Sequence, residues 1–368
     1  MRIVFTGGGT GGHVYPIIAV ARQLKQIYGQ TQSLEMIFLG PTGHYRQDLE
    51  KEGIRVKSIL AGKLRRYFSV FTLLDILKAP LGFVQSFWHL FFLMPDVVFS
   101  KGGYGAVPVV LVSWLYLIPV ISHESDAVPG LANRIGGMFS KRIALSFQGS
   151  EKYFSKKKTA LVGNPVRSEL AQVCFSGDKE KARSLLNLTS QKPIILILGG
   201  SQGAQKINEL VLSVLPNLLD KYEIIHQVGE KNYQRIKGYL KEYPGNYHFF
   251  PFLDEVLYTN GFLLADLVVS RAGGGSIYEI AACHKPSILI PLPRSASDHQ
   301  RKNAFAYAEA GATSVLEQDN LTPNMFLNEI EEIIGSLEMA QKMRDNAKTF
   351  SQPEAASKIA QELIEMAQ

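Results

Sequence analysis

Twice in this chain a short apolar strand runs into a glycine loop and then into a helical pattern. No other feature restricts the fold as strongly. The first instance is Ile3-Val4-Phe5, then Thr6-Gly7-Gly8-Gly9-Thr10-Gly11-Gly12-His13, then an apolar helical periodicity from Ile17 to Ile27. The second is Pro193 to Leu198, then Gly199-Gly200-Ser201-Gln202-Gly203-Ala204, then a helix from about Ile207. Further strands are read at Leu34 to Leu39, Asp96 to Ser100, Pro119 to Ser122, Arg142 to Leu145 and Thr159 to Val162. In the second half they fall at Tyr222 to Gln227, His248 to Pro251, Asp266 to Ser270 and Ser287 to Pro291. Strands alternating with helices predict α/β architecture with doubly wound parallel sheets. The 368 residues exceed one ordinary core, so two Rossmann-like domains facing across a cleft are expected. The junction is placed at Gly163-Asn164-Pro165-Val166-Arg167, giving domains 1–163 and 164–349. A last periodic stretch, Pro353 to Met366, predicts a helix within 350–368 that packs back on the first domain.

A third glycine loop, Ser270-Arg271-Ala272-Gly273-Gly274-Gly275-Ser276-Ile277-Tyr278-Glu279, follows a buried strand and opens an apolar helical run. Glycines admit close approach of a ligand, and the first amides of a helix are unpaired and lie at the positive end of its dipole. Strand, glycine loop and helix start together make an anion site, most often for phosphate. Glu279 has two readings: a carboxylate that grips a ribose diol, or the N3 member of a capping box with Ser276. The first loop satisfies G-x-G-x-x-G at Gly7, Gly9 and Gly12, but Gly40-Pro41-Thr42 stands where a dinucleotide site wants an acid. No G-K-[ST] is present, which excludes a P-loop NTPase.

Composition is that of a globular protein, with 46% hydrophobic and 20% charged residues. The net charge of +6 and sequence pI near 9.1 suit an anionic partner such as a nucleotide, nucleic acid or acidic lipid surface. Cys174 and Cys283 are the two cysteines, and they suggest neither a metal site nor a disulfide framework. A reducing, cytosolic setting fits, and the N-terminus does not read as a signal peptide.

Residues 63 to 94 interleave Lys63, Arg65, Arg66 and Lys78 with Tyr67, Phe68, Phe71, Leu74, Phe83, Phe87, Trp88, Phe91 and Phe92. Asp75, Lys78, Pro80, Gln85 and His89 interrupt the run, so a spanning helix is not expected. The stretch reads either as a pair of buried helices or as an interfacial membrane patch built on Arg65, Arg66, Phe71, Leu74, Lys78, Phe83 and Trp88. Polar residues follow two strand ends, at Lys101-Gly102-Gly103-Tyr104 and at His123-Glu124-Ser125-Asp126, where open α/β sheets place ligands. Glu124 and Asp126 read equally as turn residues.

Gly8 to His13, His123-Glu124, Gly163 to Arg167, Gly199 to Ala204 and Asp298-His299-Gln300 recur in this order in the MurG family. These are the peripheral-membrane glycosyltransferases of peptidoglycan synthesis, and the resemblance covers nearly the whole chain. It implies the GT-B fold, with an acceptor- and membrane-facing first domain and a donor-binding second one. It implies transfer of N-acetylglucosamine from UDP-GlcNAc to C4-OH of the N-acetylmuramoyl unit of lipid I, giving lipid II. Partners implied are UDP-GlcNAc, lipid I, the cytoplasmic face of an anionic bacterial membrane and other cell-wall and division proteins, with no nucleic acid.

The resemblance also implies donor contacts. Thr10, Gly11 and Gly12 lie at the sugar and diphosphate, Arg167 and Ser201 reach the diphosphate, and the Leu253 backbone bonds uracil. Gly274, Gly275, Ser276, Ile277 and Tyr278 line the phosphates, Glu279 holds the ribose, and Gln300 meets the sugar hydroxyls. Gly103 and Tyr104 lie on the acceptor side. Many family members read His-Glu-Gln-Asn where this chain has His123-Glu124-Ser125-Asp126, so a sugar contact that both donates and accepts is here an acceptor, with a negative charge added near the diphosphate. Inverting transfer needs a base and a stabilised leaving group. His13 is the first candidate base, against a structural role bonding a loop carbonyl; Glu124 and Asp126 follow. No carboxylate pair has metal spacing, so chemistry without a bound divalent ion or other cofactor is expected. Other GT-B enzymes, such as natural-product glycosyltransferases or UDP-GlcNAc 2-epimerases, are the alternative, and a non-catalytic nucleotide-binding or scaffold protein is the second.

Overall fold

A computed structural model of the chain describes residues 1–29, 33–43, 45–62, 70–200, 203–239 and 245–368, with residues 70–77, 79 and 168 described by backbone alone. Two compact units result, Met1–Arg167 with Gln352–Gln368, and Ser168–Ser351. Each is built on a parallel sheet whose central strands are buried on both faces, as strands covered by helices on either side must be.

In the first unit the strands are β1 (Arg2–Thr6), β2 (Glu35–Leu39), β3 (Arg55–Lys57), β4 (Val97–Ser100), β5 (Val120–Glu124), β6 (Arg142–Leu145) and β7 (Thr159–Leu161). Their order is β3-β2-β1-β4-β5-β6-β7. In the second they are β8 (Ile194–Leu198), β9 (Glu223–Gln227), β10 (Tyr247–Phe250), β11 (Leu267–Ser270), β12 (Ser287–Leu289) and β13 (Ser314–Val315), ordered β10-β9-β8-β11-β12-β13. Strand order therefore reverses between β1 and β4 in one sheet and between β8 and β11 in the other. Such switch points open a crevice at the carboxyl ends of the strands. All three glycine loops end strands that border them.

The helix Gly11–Ile27 begins six residues before the apolar periodicity does. Thr10 is extended, and its carbonyl accepts from the amides of His13 at 2.9 Å and Val14 at 3.1 Å, which starts the helix inside the glycine run. The terminal helix Ala355–Ala367 packs on the Gly11–Ile27 helix through Ala356, Ile359, Ala360 and Leu363. β3 and β13, too short to register as apolar runs, extend the two sheets at their edges.

Residues 70–93 form one helix, Val70–Leu93, with Pro80 inside it; the expected pair of buried helices is not what forms over these residues. Ser86, Leu90 and Leu93 face the sheet, while Leu81, Val84, Trp88, Phe91 and Phe92 face outward, half or more exposed. Gly82 sets where this helix sits. A Cβ there would overlap the Leu60 carbonyl oxygen, and the Leu60 amide donates to Gln85 Oε1 at 2.7 Å. Leu60 lies just past the carboxyl end of β3, whereas the Leu93 carbonyl accepts from Arg2 at the start of β1. The helix thus spans the sheet between Gly82 and Leu93.

The absence of a disulfide framework is overturned. Cys174, in the helix Ser168–Ser176, and Cys283, just after the helix Gly274–Ala282, are disulfide-bonded with Cα atoms 5.6 Å apart. A separation of 109 residues hid the pair, since the spacing of two cysteines carries no partner information until helices pack.

Candidate active site

At the first switch point three loops meet, those after β1, β4 and β5. His13 lies in the first turn of its helix, and its Nδ1 shares a hydrogen bond of 2.8 Å with Thr10 Oγ1, not with a loop carbonyl. A Cβ on Gly8 would stand 2.9 Å from His13 Nδ1, and one on Gly103 would stand 3.2 Å from His13 Nε2. Gly103 is in the left-handed region at φ 81, so glycine is required there for conformation as well as for space. Burial and the nearby Lys101 charge lower the His13 pKa to about 4, against the pull of Asp126, so the ring is neutral at pH 7.

Lys101 is 1% exposed at the end of β4, and its ammonium donates to Ser125 Oγ. Glu124 is 2% exposed at the end of β5. Its Oε1 accepts from the Asp126 amide at 2.8 Å and its Oε2 from Asn133 Nδ2 at 2.7 Å. Both oxygens are engaged, so Glu124 buttresses the turn that presents Asp126. Burial, with the Asp126 charge adding to it, raises its pKa; burial lowers that of Lys101 against the pull of both acids. His123 is buried neutral, with Nε2 bonded to the Gly163 carbonyl at 2.9 Å. Asp126 and Tyr104 are half-buried at the rim of this group. Arg167 belongs to the first unit, where its guanidinium lies 3.8 Å above the Tyr15 ring.

At the second switch point the helix Gly274–Ala282 is capped by the extended residue Gly273, with no side-chain cap. The capping-box reading fails: Ser276 is the third helical residue, and Glu279 Oε2 instead accepts from Tyr258 Oη at 2.7 Å. Gly274, Gly275 and Ser276 carry the leading amides of the helix, whereas the Ile277 amide bonds the Gly273 carbonyl at 3.1 Å. The Ile277 and Tyr278 side chains are buried in the core of the second unit, Tyr278 against Phe350, so neither ring nor aliphatic chain lines an anion site. The Leu253 amide donates to Gln227 Oε1 at 3.1 Å. Gln300 Oε1 accepts from the Leu292 amide at 2.9 Å, and its own amide donates to Ser295 Oγ at 3.2 Å. Ser201, Arg65 and Arg66 lie outside the described residues, as do the side chains of Phe71 and Leu74.

Sequence reasoning named Lys101 only as one of the polar residues following a strand, and passed over Asn133, Gln227 and Tyr258. A lysine closing an otherwise apolar strand was the one available signal, and it stands directly before Gly102-Gly103. The others act across 9 to 26 residues, through contacts that only the fold creates.

Each unit thus carries a switch point of the kind that binds nucleotides or sugars, one surrounded by titratable groups and the other by helix amides beside a carboxylate. The chain belongs to glycosyltransferase family 28: its N-terminal domain model matches residues 3–145 and its C-terminal domain model residues 194–361. Among similar curated proteins is UDP-N-acetylglucosamine--N-acetylmuramyl-(pentapeptide) pyrophosphoryl-undecaprenol N-acetylglucosamine transferase 2 of Bacillus cereus, 37% identical over 366 residues, covering 99% of both chains. The corresponding transferase of Treponema denticola is 36% identical over 382 residues, covering 98% of this chain and 94% of its own. Among solved structures, Acinetobacter baumannii MurG superposes with a TM-score of 0.72 at 27% identity over 99% of both chains. A UDP-GlcNAc 2-epimerase from Neisseria meningitidis shares the fold, with a TM-score of 0.70 at 15% identity over 99% of this chain and all of its own.

Proposed function

We infer that this protein is an inverting N-acetylglucosaminyltransferase of peptidoglycan synthesis that moves GlcNAc from UDP-GlcNAc to C4-OH of the N-acetylmuramoyl unit of lipid I, giving lipid II. The observation that carries this is identity of more than a third along the full chain to transferases named for that reaction. In the transfer, the acceptor oxygen forms a bond to the anomeric carbon as the bond to the diphosphate breaks; the hydroxyl proton passes to a base and UDP departs. The leading amides at Gly274, Gly275 and Ser276 suit the departing diphosphate, since they are fixed dipoles that need no reorganisation. Glu279, oriented by Tyr258, suits the ribose diol. His13 is neutral, as a base must be, and Asp126 is placed to favour the imidazolium that forms. Thr10, Gly11, Gly12, Arg167, Leu253 and Gln300 complete the donor contacts in this reading, with Gly103 and Tyr104 on the acceptor side. UDP release that requires lipid I tests the assignment. Equal release with a soluble sugar or natural-product acceptor, or epimerisation of UDP-GlcNAc, would overturn it.

The same reading places the protein on the inner face of the bacterial plasma membrane, where its lipid-tethered acceptor resides. Among the described residues no helix is long and apolar enough to cross a membrane. The outward face of the Val70–Leu93 helix, with Trp88 stacked on Phe92 at 6.1 Å, supports interfacial contact. Each basic residue near an anionic surface contributes about 1 kcal/mol. Replacing Arg65, Arg66 and Lys78 together by glutamine should weaken binding to anionic vesicles roughly 100-fold by that figure while UDP binding persists. Parent-like vesicle binding by the triple variant would remove this segment from the membrane contact.

A further inference from the structure

The acceptor-side loops hold more charge than the transfer chemistry described above uses. Glu124 and Asp126 stand two residues apart after β5, and Glu124 is almost wholly buried with Asp126 bonded to it through the chain. Two carboxylates this close repel each other, the Asp126 charge raising the proton affinity of Glu124. The residue that answers them is Lys101. It rises from the neighbouring strand β4, its amide donates to the Thr6 carbonyl of β1 at 2.8 Å, and its ammonium is held by Ser125, the residue between the two acids. A Cβ on Gly7 would lie 3.4 Å from His13 Cβ and 3.5 Å from Lys101 Cβ, so the histidine and the lysine flank the same glycine. The groups that feel the ammonium's charge, or that it feels, are His13 from the first helix, His123 and Glu124 from β5, and Asp126 from the loop beyond it.

We propose, resting on the transferase reading above, that Lys101 is a positioning residue for the transfer: its buried ammonium is the counter-ion that lets Glu124 and Asp126 share one loop, and it keeps the His13 imidazole free to take the acceptor proton. Lys101 and Asp126 then form one functional pair. The lysine disfavours a proton on His13 before reaction; the aspartate stabilises the imidazolium once the hydroxyl proton has moved. An aspartate alone at this position would hold a proton on His13 prematurely. The direction of each charge effect on His13 agrees, with Lys101 lowering and Asp126 raising its proton affinity.

The test is a cycle of Lys101→Met, Asp126→Asn and the double variant, assayed for lipid I-dependent transfer across pH. Lys101→Met should lower kcat at least 30-fold and move the acidic limb of the pH profile upward. The double variant should be more active than Lys101→Met alone, because the uncompensated acid is gone. Losses that simply multiply would overturn the pairing. A second readout needs no acceptor: the His13 imidazole titration followed by NMR. It should shift upward in Lys101→Met and downward in Asp126→Asn, and a midpoint unmoved in Asp126→Asn overturns the proposal even if Lys101→Met does not fold. Parent protein inactive on lipid I would overturn the transferase reading while leaving the His13 titration to decide the pairing.

Discussion

The carboxyl edges of the two sheets share a topology and differ in what they are made of. At the first edge, between β1 and β4, side chains dominate: His13, Lys101, Glu124 and Asp126 crowd three loops, and two of the four are almost wholly buried. At the second, between β8 and β11, the backbone dominates: Gly274, Gly275 and Ser276 present amides, and one carboxylate, Glu279, is aimed by one phenol. Buried charges shift one another's proton affinity, so the first edge is suited to moving a proton. Helix amides carry a fixed dipole that does not titrate, so the second is suited to holding an anion whose charge grows during reaction. A doubly wound sheet thus offers a place, and the residues on the strand ends decide the chemistry.

The sharpest way to break this division is at His13. His13→Ala should lower kcat by about 10²–10⁴-fold, the usual range for a general base, with little change in donor KM. Near-normal turnover would move the base to Asp126. Glu279→Gln should do the opposite, weakening UDP-GlcNAc binding by roughly 1.5–3 kcal/mol with kcat nearly kept, as a charged hydrogen bond is lost. Unchanged donor affinity, measured calorimetrically, would return Glu279 to a structural role. Tyr258→Phe removes only the bond that orients that carboxylate, and by about 0.5–1.5 kcal/mol should weaken donor binding less than Glu279→Gln does. If the two are equal, the phenol itself touches the nucleotide.

The smallest effect is on stability. His13 and His226, lowered by burial to about 4 and about 3, bind protons in the unfolded chain below pH 6.5 that the folded chain refuses. Their contribution is complete above pH 6.5 and is lost as pH falls towards 4, so the thermal midpoint should drop over that window. His226 lies in the core of the second unit with Nδ1 on Tyr247 Oη at 2.8 Å, so replacing it should flatten part of the drop without touching catalysis. A midpoint constant from pH 7 to 5 would contradict the neutral burial of both rings.

The glycine loops were legible because they are local: a strand, a bend and a helix start all lie within about fifteen residues, where periodicity and glycine spacing act. Helix starts were placed late for the same reason, since glycines read as loop while the Thr10 and Gly273 carbonyls were already accepting helical bonds. The capping box at Ser276 and Glu279 matched its motif and still failed, because Tyr258, on another helix, offered Glu279 a partner that sequence spacing does not reveal. Lys101 was legible as a polar residue at a strand end but not in its role, which depends on strands β4 and β5 being neighbours and so bringing Ser125 to it across 24 residues. The disulfide between Cys174 and Cys283 escaped on the same ground.

The close contact of Gly82 with Leu60 also marks off a length. From Val70 to Gly82 the helix rises roughly 18 Å at 1.5 Å per residue. The hydrocarbon interior of a bilayer is about 30 Å thick, so a stretch of that length is shorter than a crossing. If the membrane contact proposed above holds, this half of the helix would enter one leaflet without crossing the bilayer, at the level where a lipid-tethered sugar offers its hydroxyl.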